Sequence, residues 1–575
     1  MGPGRRRWLW LGVGGVVVAW AVATALSILG AIGAADRGID QVDATQSRLS
    51  GSGITSPQTA GMLERARSDF ATAKADLNAW WVVPLDVVPL AGRQVDAVRD
   101  LAGAAEQVAG TGAGTLTKAR RLLQAPDPGG MARVTLLEQL SRLARSSGRQ
   151  LDRVQVGPSG DLLGPISSRH HRFADQLDRA RSELANVAAG AAAAATILEG
   201  PQRYLVLMAN NAEMRAGSGA FLEAGILSTS DGTLTMSDVQ PTEDLNLTPG
   251  EVPVSGDLEA RWGWLLPGVD WRNIGVTPQF DVNGPLAAAM WHAATGQVVD
   301  GVLAVDVAAL QQVLGVTGPV VVGTSTVTAQ NVEQLLMHDQ YVGLSYGGSQ
   351  AELARLEELG SLAQSTFQAL EDRSVDLHAL ALAVADAADG RHLLLWSSSP
   401  SQESTWVSLG VAGRLTGHSM DVDLINRGGN KLDQYMSLEV SLVPDRRHAT
   451  AATLTVEIVN RTPPGQSAFV AGPYPGLGTV YGEYLGVLAV NLPAGVTPYV
   501  VGNPDLDALG AEGPTDLVGV PVDLRAGQSE KVVFDLRLPG RPLESTVVPS
   551  ARIPPVTWDV SGASHSDGQP FSFRW

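Results

Sequence analysis

Residues 204–236 read YLVLMANNAEMRAGSGAFLEAGILSTSDGTLTM, and this stretch decides the fold at the centre of the chain. Tyr204 to Met208 is an apolar run typical of a buried strand, and Ala220 to Thr229 is a second one. The polar residues 210–219 between them predict a turn. Asp231-Gly232 predicts a tight hairpin turn into a third strand. The stretch therefore predicts the start of a sheet.

Downstream of this stretch, predicted strands alternate with predicted helices. Val298 to Val305 reads as a strand, Val307 to Leu314 as a helix, and Val320 to Val322 as the next strand. This alternation is typical of an α/β layered domain, which we place at residues 200–440. Ligands of such sheets bind beyond the carboxyl ends of the strands, so the turn after the first strand is the candidate site.

Upstream of residue 200 the chain is rich in alanine and has the periodicity of helices. Apolar residues recur at steps of three and four over residues 63–80, and breaks at Pro and Gly divide residues 56–199 into four helices. We predict a helical stalk bundle over residues 34–199. The apolar segment Trp80 to Leu90 is either a buried corner of this bundle or a contact with a membrane interface, and we favour the buried corner.

The first 33 residues have the pattern of a membrane anchor. Arg5, Arg6 and Arg7 precede an uncharged run over residues 8–33, which is long enough to cross a bilayer. A cleaved signal peptide is the alternative, but its apolar region would be shorter. We therefore expect a cytoplasmic tail at residues 1–7, a transmembrane helix at 8–33 and a single-pass protein of the plasma membrane. The bulk of the chain would lie outside the cytoplasm.

The last part of the chain reads as strands. Short apolar or alternating runs separated by Pro and Gly predict a β-sandwich over residues 441–575, which we expect to be immunoglobulin-like. The predicted fold class is therefore multidomain α+β: a transmembrane helix, a helical stalk, a central α/β layered domain and a C-terminal sandwich.

Composition excludes several classes of function. The chain has 575 residues, no cysteine and a net charge of −18, with 41 basic and 59 acidic residues. The absence of cysteine excludes disulfide scaffolds, thiolate metal sites and a thiol nucleophile. The negative charge argues against nucleic acid as a partner, because binding to phosphate backbones needs a basic face.

Residues 204–215, YLVLMANNAEMR, resemble the signature YLxLxxNNAExR of the bacterial family called domain of unknown function 4012. Further matches follow in the family's order, at residues 295–306, 318–320, 338–341, 391–396 and 428–435. The resemblance covers roughly residues 200–440. By its name the family has no assigned function.

The same order of elements is distantly similar to the LytR-CpsA-Psr family. Its members are membrane-anchored enzymes that move glycopolymers from polyprenyl diphosphate carriers onto the cell wall. Their chemistry uses arginines and a metal held by carboxylates, because the diphosphate leaving group must be neutralised. The resemblance implies an envelope protein and, if the chain is an enzyme, a glycopolymer phosphotransferase-like activity with Mg²⁺ or Mn²⁺.

This resemblance suggests which residues would form the site. Glu213 and Arg215 fall where the transferase family has its first acid and arginine, and Arg272 would add a second cation. Glu213 and Asp306 are the candidate metal ligands, and no catalytic residue is assigned. The candidate ligand-binding residues are Asn211, Glu213, Arg215, Ser218, Arg272 and Lys431.

Structural roles are the alternatives. Glu213 and Arg215 would simply pair with each other, Asn211 would brace the turn, and Asp306 would cap the helix that follows it. The chain also departs from the transferase pattern. Residues 237–244 contain no arginine, and after residues 337–341 the next basic residue is Arg355. Two expected phosphate contacts are therefore missing from the sequence.

Two functions follow from these observations. The first is a membrane-anchored extracytoplasmic protein of the bacterial cell envelope that binds or transfers polyprenyl-phosphate-linked glycopolymers. Its partners would be the membrane and the glycopolymer or cell wall. The alternative is a non-catalytic envelope scaffold or interaction protein, which the missing arginines favour.

Overall fold

The computed structural model describes residues 34–35, 37–39, 57–124, 129–237, 239–342, 344, 350–372, 375–445, 447–448, 450–502, 504–540 and 543–575. These residues divide into two compact units. The first ends at residue 196 and is helical, whereas the second comprises residues 129–131 and 197–575 and contains the sheets.

The fold-class prediction is corrected in one element, the transmembrane helix. Within the described part of the chain, no helix combines the length and the apolar character that crossing a membrane requires. The reason is visible in the longest helices: Pro89–Leu123 carries charges at Arg93, Asp96 and Arg99, which are costly in hydrocarbon. The run at residues 8–33 lies outside the described residues. What the structure shows is a mixed α/β protein with several sheets.

Four long helices make up the first unit. Small alanines bring them close together: Ala66 and Phe70 pack against Ala105 and Ala109. A 3₁₀ turn, Val83–Val87, joins the first two helices. The helices are Pro57–Leu77, Pro89–Leu123, Gly130–Asp152 and Gly164–Glu199.

The segment from Trp80 to Leu90 is neither wholly buried nor wholly exposed. Val82 belongs to a buried cluster, whereas the side chain of Trp80 is 78% exposed and Val83 is also exposed. The predicted buried corner therefore describes only part of this segment.

The central sheet of the second unit begins with a long hairpin, Gln202–Arg215 and Ser218–Ser230. Gln202–Arg215 also pairs in parallel with Gly301–Val305, which pairs with Leu393–Ser397. Thr233–Met236 and Gln240–Pro241 extend the other edge. Apolar side chains cover both faces, so the strands are nearly continuous buried runs.

Helices surround this sheet, and the connections between them form the surroundings of the candidate site. A separate small hairpin is formed by Val320–Val322 and Ser325–Val327. The α-helices are Gly256–Trp262, Phe280–Thr295, Val307–Thr317, Val332–Met337, Gln350–Asp372, Leu377–Asp389 and Pro400–Ser408. The 3₁₀ helices are Thr242–Leu245, Gly263–Leu265, Trp271–Val276, Asp339–Tyr341 and Asp433–Tyr435.

A β-sandwich completes the second unit. Its two sheets have six strands each, twelve in total. An immunoglobulin-like domain has roughly seven to nine strands, so this sandwich is larger than the one we expected. One sheet has the order Thr497–Val500, Ser529–Arg537, Ala451–Asn460, Met436–Pro444, Thr557–Val560, Ala563–Ser566. The other has the order Ala508–Glu512, Thr515–Leu524, Tyr484–Leu492, Ser419–Asn426, Glu544–Val547, Phe571–Arg574. A short helix, Ala468–Ala471, lies between strands.

The strand Ser419–Asn426 joins the sandwich to the α/β part. Met420 and Leu424 face the core between the two sheets of the sandwich, whereas Ile425 packs in the core of the central sheet. The sandwich therefore begins before the boundary that we predicted at residue 440. The α/β part and the sandwich belong to one compact unit.

Candidate functional site

The signature stretch forms strand, not the polar turn that we predicted for residues 210–219. The first strand continues to Arg215, and the turn itself is only Ala216-Gly217. The pairing register shifts twice between Met208 and Met214. Such bulges change the direction of the polar side chains without ending the strand. Polar residues are tolerated there because each finds a partner inside the protein.

The hairpin needs glycine at its tip. A Cβ atom on Gly219 would lie 2.2 Å from the carbonyl carbon and oxygen of Asn210 on the opposite strand. Ser218, a candidate ligand-binding residue, is buried opposite Arg215, and its φ of 146° is a strained value for a residue with a side chain. The tip is therefore a tightly constrained part of the fold.

Glu213 lies at the centre of a buried ionic cluster. Its Oε1 accepts a hydrogen bond of 3.1 Å from Nη2 of Arg215, and its Oε2 accepts one from Nζ of Lys431. The Glu213 side chain is only 2% exposed. Burial raises the pKa of Glu213, but the charges of Lys431, Arg215 and Arg272 outweigh it and lower the pKa to about 2. Glu213 is therefore ionised at neutral pH.

Arg215 is held in place by protein groups on all sides. Besides Glu213, its Nε donates to Oδ1 of Asn273 at 3.0 Å and its Nη1 to the carbonyl oxygen of Met214 at 2.9 Å. Arg215 and Glu213 thus pair with each other, which was the structural alternative for both residues.

Arg272 contributes positive charge from the neighbouring 3₁₀ helix Trp271–Val276. Its Nε and Nη2 bind the carboxylate of Asp270 at 3.0 and 2.7 Å, a two-point contact that fixes the guanidinium. The Arg272 side chain is 36% exposed, unlike the buried Arg215. It acts on Glu213 through space and faces solvent on its other side.

Tyr341 brings one further cation, Arg355, to the cluster. Nζ of Lys431 lies 5.5 Å from the centre of the Tyr341 ring, and Cζ of Arg355 lies 5.4 Å from it. The Tyr341 hydroxyl accepts a hydrogen bond of 2.6 Å from Nδ2 of Asn210, and its ring stacks on Phe469. Arg355, the first basic residue after Tyr341 in the sequence, is thus part of the same cluster.

Arg355 has donors that are buried without an acceptor. Its Nε and Nη1 atoms are buried and have no hydrogen-bond partner. Glu223, which is 3% exposed, likewise has a buried Oε1 without a partner. Burial raises the pKa of Glu223 to about 8; Arg355 opposes this shift, whereas Glu243 and Asp244 add to it. At neutral pH Glu223 is therefore mostly uncharged.

The other candidate residues form a separate network. Nδ2 of Asn211 donates to Oδ2 of Asp306 at 2.8 Å and to the carbonyl oxygen of Ala551 at 2.9 Å. Asp306 caps the helix Val307–Thr317, because its Oδ1 accepts from the backbone N–H groups of residues 308 and 309. Its Oδ2 also accepts from Nδ1 of His392 at 2.7 Å.

Glu213 and Asp306 therefore do not form a metal site together. All four of their carboxylate oxygens already accept hydrogen bonds from protein groups. Across the described part of the chain, no group of three or more His, Cys, Asp or Glu side chains is placed to hold a metal ion.

A second buried ion pair holds the hairpin against the sandwich. Asp433, two residues beyond Lys431, accepts hydrogen bonds from Nη1 of Arg552 at 3.0 Å and from the Tyr484 hydroxyl at 2.9 Å. It also accepts from the backbone N–H of Met214 at 2.9 Å. The segment around Lys431 is thus fixed directly beside Glu213.

Sequence reasoning missed part of this cluster. Tyr341 and Asp433 lie in stretches that carry the family resemblance, so those stretches were a usable signal. Glu223 and Arg355 lie outside those stretches, and neither periodicity nor spacing indicates that they meet. Of the candidate residues, Glu213, Arg215, Arg272 and Lys431 are brought together, whereas Asn211 binds Asp306.

Comparison with known proteins identifies a family for part of the chain. Residues 199–341 match the family described as "Protein of unknown function (DUF4012)". This confirms the resemblance for that segment, which contains all the candidate residues except Lys431. No curated protein and no solved structure matches the chain. The distant similarity to the LytR-CpsA-Psr family stays a prediction.

Proposed function

We propose that the cluster around Glu213 binds the phosphate or diphosphate group of a ligand, with a polyprenyl-phosphate-linked envelope glycopolymer as the ligand class. The observation that carries this proposal is Arg355, whose buried Nε and Nη1 have no hydrogen-bond partner. A buried guanidinium without an acceptor is unfavourable, and an anionic oxygen is the acceptor that suits it best.

The charge of the cluster supports the same ligand. Three cations, Arg215, Arg272 and Lys431, act on Glu213, and Asp270 pairs with Arg272, which leaves one positive charge in excess around Glu213. Glu223 adds little negative charge at neutral pH, because its pKa is raised to about 8. A negatively charged phosphate oxygen would balance this excess.

The roles in this proposal differ between the residues. Glu213 positions Arg215 and Lys431 and does not contact the ligand, because both its oxygens are occupied. Arg272 and Arg355 would contact the anion, because Arg272 is partly exposed and Arg355 has free donors. This differs from the sequence-based expectation that Glu213 would hold a cation.

Calorimetric titration of the full chain with inorganic diphosphate and with farnesyl diphosphate tests the proposal. We expect saturable binding of both, and Arg355→Gln should weaken it by about 10- to 100-fold through the loss of charge-assisted hydrogen bonds. Tighter binding of the farnesyl compound would identify the prenyl carrier rather than the free anion. Arg537→Gln, at an exposed arginine of the sandwich, is the matched control and should bind as wild type.

The non-catalytic scaffold is the second candidate. The observation that favours it is the saturation of Glu213 and Asp433 by protein partners, as expected for a structural network. If neither diphosphate binds, or if Arg355→Gln and wild type bind equally, the phosphate proposal is wrong and the scaffold is the better description.

A further inference from the structure

A second set of unsatisfied polar groups lies on the strand Ser419–Asn426, away from the cluster around Glu213. All eight residues of this strand are buried. Met420, Val422 and Leu424 face the core of the sandwich. Because successive side chains alternate between faces, Asp421 and Asp423 both project to the opposite face, toward the core of the central sheet.

Both of these carboxylates lack a complete hydrogen bond, although the backbone N–H of Val422 acts on Asp421. Asp421 and Asp423 are each 1% exposed, and all four of their carboxylate oxygens are buried without a hydrogen-bond partner. The two groups lie within hydrogen-bonding reach of each other, but that contact requires a shared proton. A buried carboxylate pair is stable only if it is neutralised by a proton or by a cation.

Asn491 supplies a third oxygen. It lies directly opposite Asp421 in the antiparallel pairing and is 0% exposed. Its Nδ2 donates to Oε2 of Glu512 at 2.7 Å and to Oγ1 of Thr515 at 2.9 Å, on the side of the sheet remote from Asp421. The Asn491 Oδ1 is buried without a partner, and the cross-strand pairing puts the Asn491 and Asp421 side chains side by side on the same face of the sheet.

The local charge is negative. Asp567, another buried carboxylate, acts on both Asp421 and Asp423, whereas Arg391 is the one cation that acts on both in the described part of the chain. The Arg391 guanidinium is bound to the carbonyl oxygens of Pro278 and Gly413 and forms no ion pair with either aspartate. If all three carboxylates are ionised, two negative charges are left in excess.

We infer that Asp421, Asp423 and the Oδ1 of Asn491 hold one divalent cation inside the second unit. Five unpartnered oxygens from two carboxylates and an amide form a donor set that suits a hard cation, Ca²⁺ or Mg²⁺. A divalent charge also balances the two excess negative charges. The cation would join the sandwich to the core of the central sheet and would enter during folding, because the ligands are enclosed.

The test compares the full chain refolded with Ca²⁺, with Mg²⁺, or with EDTA. We expect about one bound cation per chain by elemental analysis after dialysis against metal-free buffer. We also expect a Tm higher by about 3 °C or more than in the chain refolded with EDTA, because the ligand binds the folded state alone. The ion that gives the larger shift identifies the preferred cation.

The double variant Asp421→Asn, Asp423→Asn keeps the shape of the site but removes both charges. It should fold, since it contains no buried carboxylate pair, and should bind no cation and have the same Tm in all three conditions. Asp535→Asn, at an exposed aspartate of the sandwich, should behave as wild type. Wild type without bound cation and without a metal-dependent Tm would show that the pair shares a proton only. A cation that persists in the double variant would place it elsewhere, and either result would overturn the inference.

Discussion

The ammonium group of Lys431 donates a hydrogen bond to the carboxylate of Glu213, although 218 residues separate them in the sequence. Both side chains are at most 5% exposed. Burial lowers the pKa of Lys431, and the charge of Glu213 opposes that shift. The pair therefore joins the hairpin of the central sheet to the segment that leads into the sandwich, and each partner depends on the other for its charge.

Glu213→Gln should destabilise the second unit strongly. The substitution leaves the buried cations Arg215 and Lys431 without a counter-charge, and breaking a buried pair in this way costs about 3–5 kcal/mol. Urea unfolding followed by tryptophan fluorescence measures the change. Glu544→Gln is the control, because the Glu544–Arg574 pair is exposed and should contribute little. Equal stabilities of the two variants would contradict the central role of Glu213.

Tyr484→Phe should weaken the buried network around the Asp433–Arg552 ion pair without leaving a charge unpaired. The Tyr484 hydroxyl donates to Oδ1 of Asp433 at 2.9 Å, and a hydrogen bond to a charged acceptor contributes about 1.5–3 kcal/mol. Denaturant unfolding should show a loss of that size. Tyr499→Phe removes a hydroxyl from a side chain that is 58% exposed and should leave stability unchanged. A loss in both variants would point to a general effect of the substitution.

Glu223 should make stability fall as the pH rises. Its folded pKa is raised from 4.5 to about 8, mainly by burial, so above pH 4.5 the unfolded chain releases a proton that the folded chain keeps. The free energy of unfolding should therefore decrease between pH 4.5 and about 8, by up to about 5 kcal/mol, and level off above that range.

Glu223→Gln isolates this contribution from those of other groups. The variant cannot release the proton, so the difference in unfolding free energy between the variant and wild type should grow from pH 5 to pH 8. Denaturant unfolding at four pH values measures it. A difference that stays constant across this range would show that Glu223 is ionised in the folded protein.

Asp306→Asn should lower the pKa of His392. Burial lowers this pKa, but the charge of Asp306 and its hydrogen bond outweigh burial and raise it above 6.5. Without that carboxylate the imidazole should titrate at a lower pH than in wild type, which NMR of the histidine rings can follow. His448, whose side chain is 74% exposed, is the internal reference and should not shift. An unchanged His392 would mean that Asp306 does not control its charge.

The wild-type pair should also stabilise the fold in a defined pH range. Because the folded pKa of His392 is raised, its contribution is fully present below pH 6.5 and is lost as the pH rises through the folded value. Asp306→Asn should remove this dependence and cost about 1–3 kcal/mol at pH 6, because the charged partner of His392 is lost, whereas asparagine can still cap the helix. Unfolding at pH 6 and pH 8 measures both effects.

The helices and many of the strands could be predicted because their patterns are local. Residues 63 to 77 repeat apolar side chains every three or four positions, and that seam is buried in Pro57–Leu77. Ala451–Asn460 alternates buried and partly exposed residues, as a strand of a sandwich does. The turn predicted at residues 210–219 was wrong, because polar residues there have partners far along the chain.

The sequence by itself determined where the helices of the first unit and many of the strands lie, which family residues 199–341 resemble, and that Glu213 and Arg215 are candidates for one site. Only the tertiary structure decided that Lys431 and Arg355 meet Glu213 and Tyr341, and that Asp421 lies opposite Asn491. The physical reason is that periodicity and spacing report the conformation of a short segment. The partner of a buried charge is chosen by how the segments pack, which no local pattern contains.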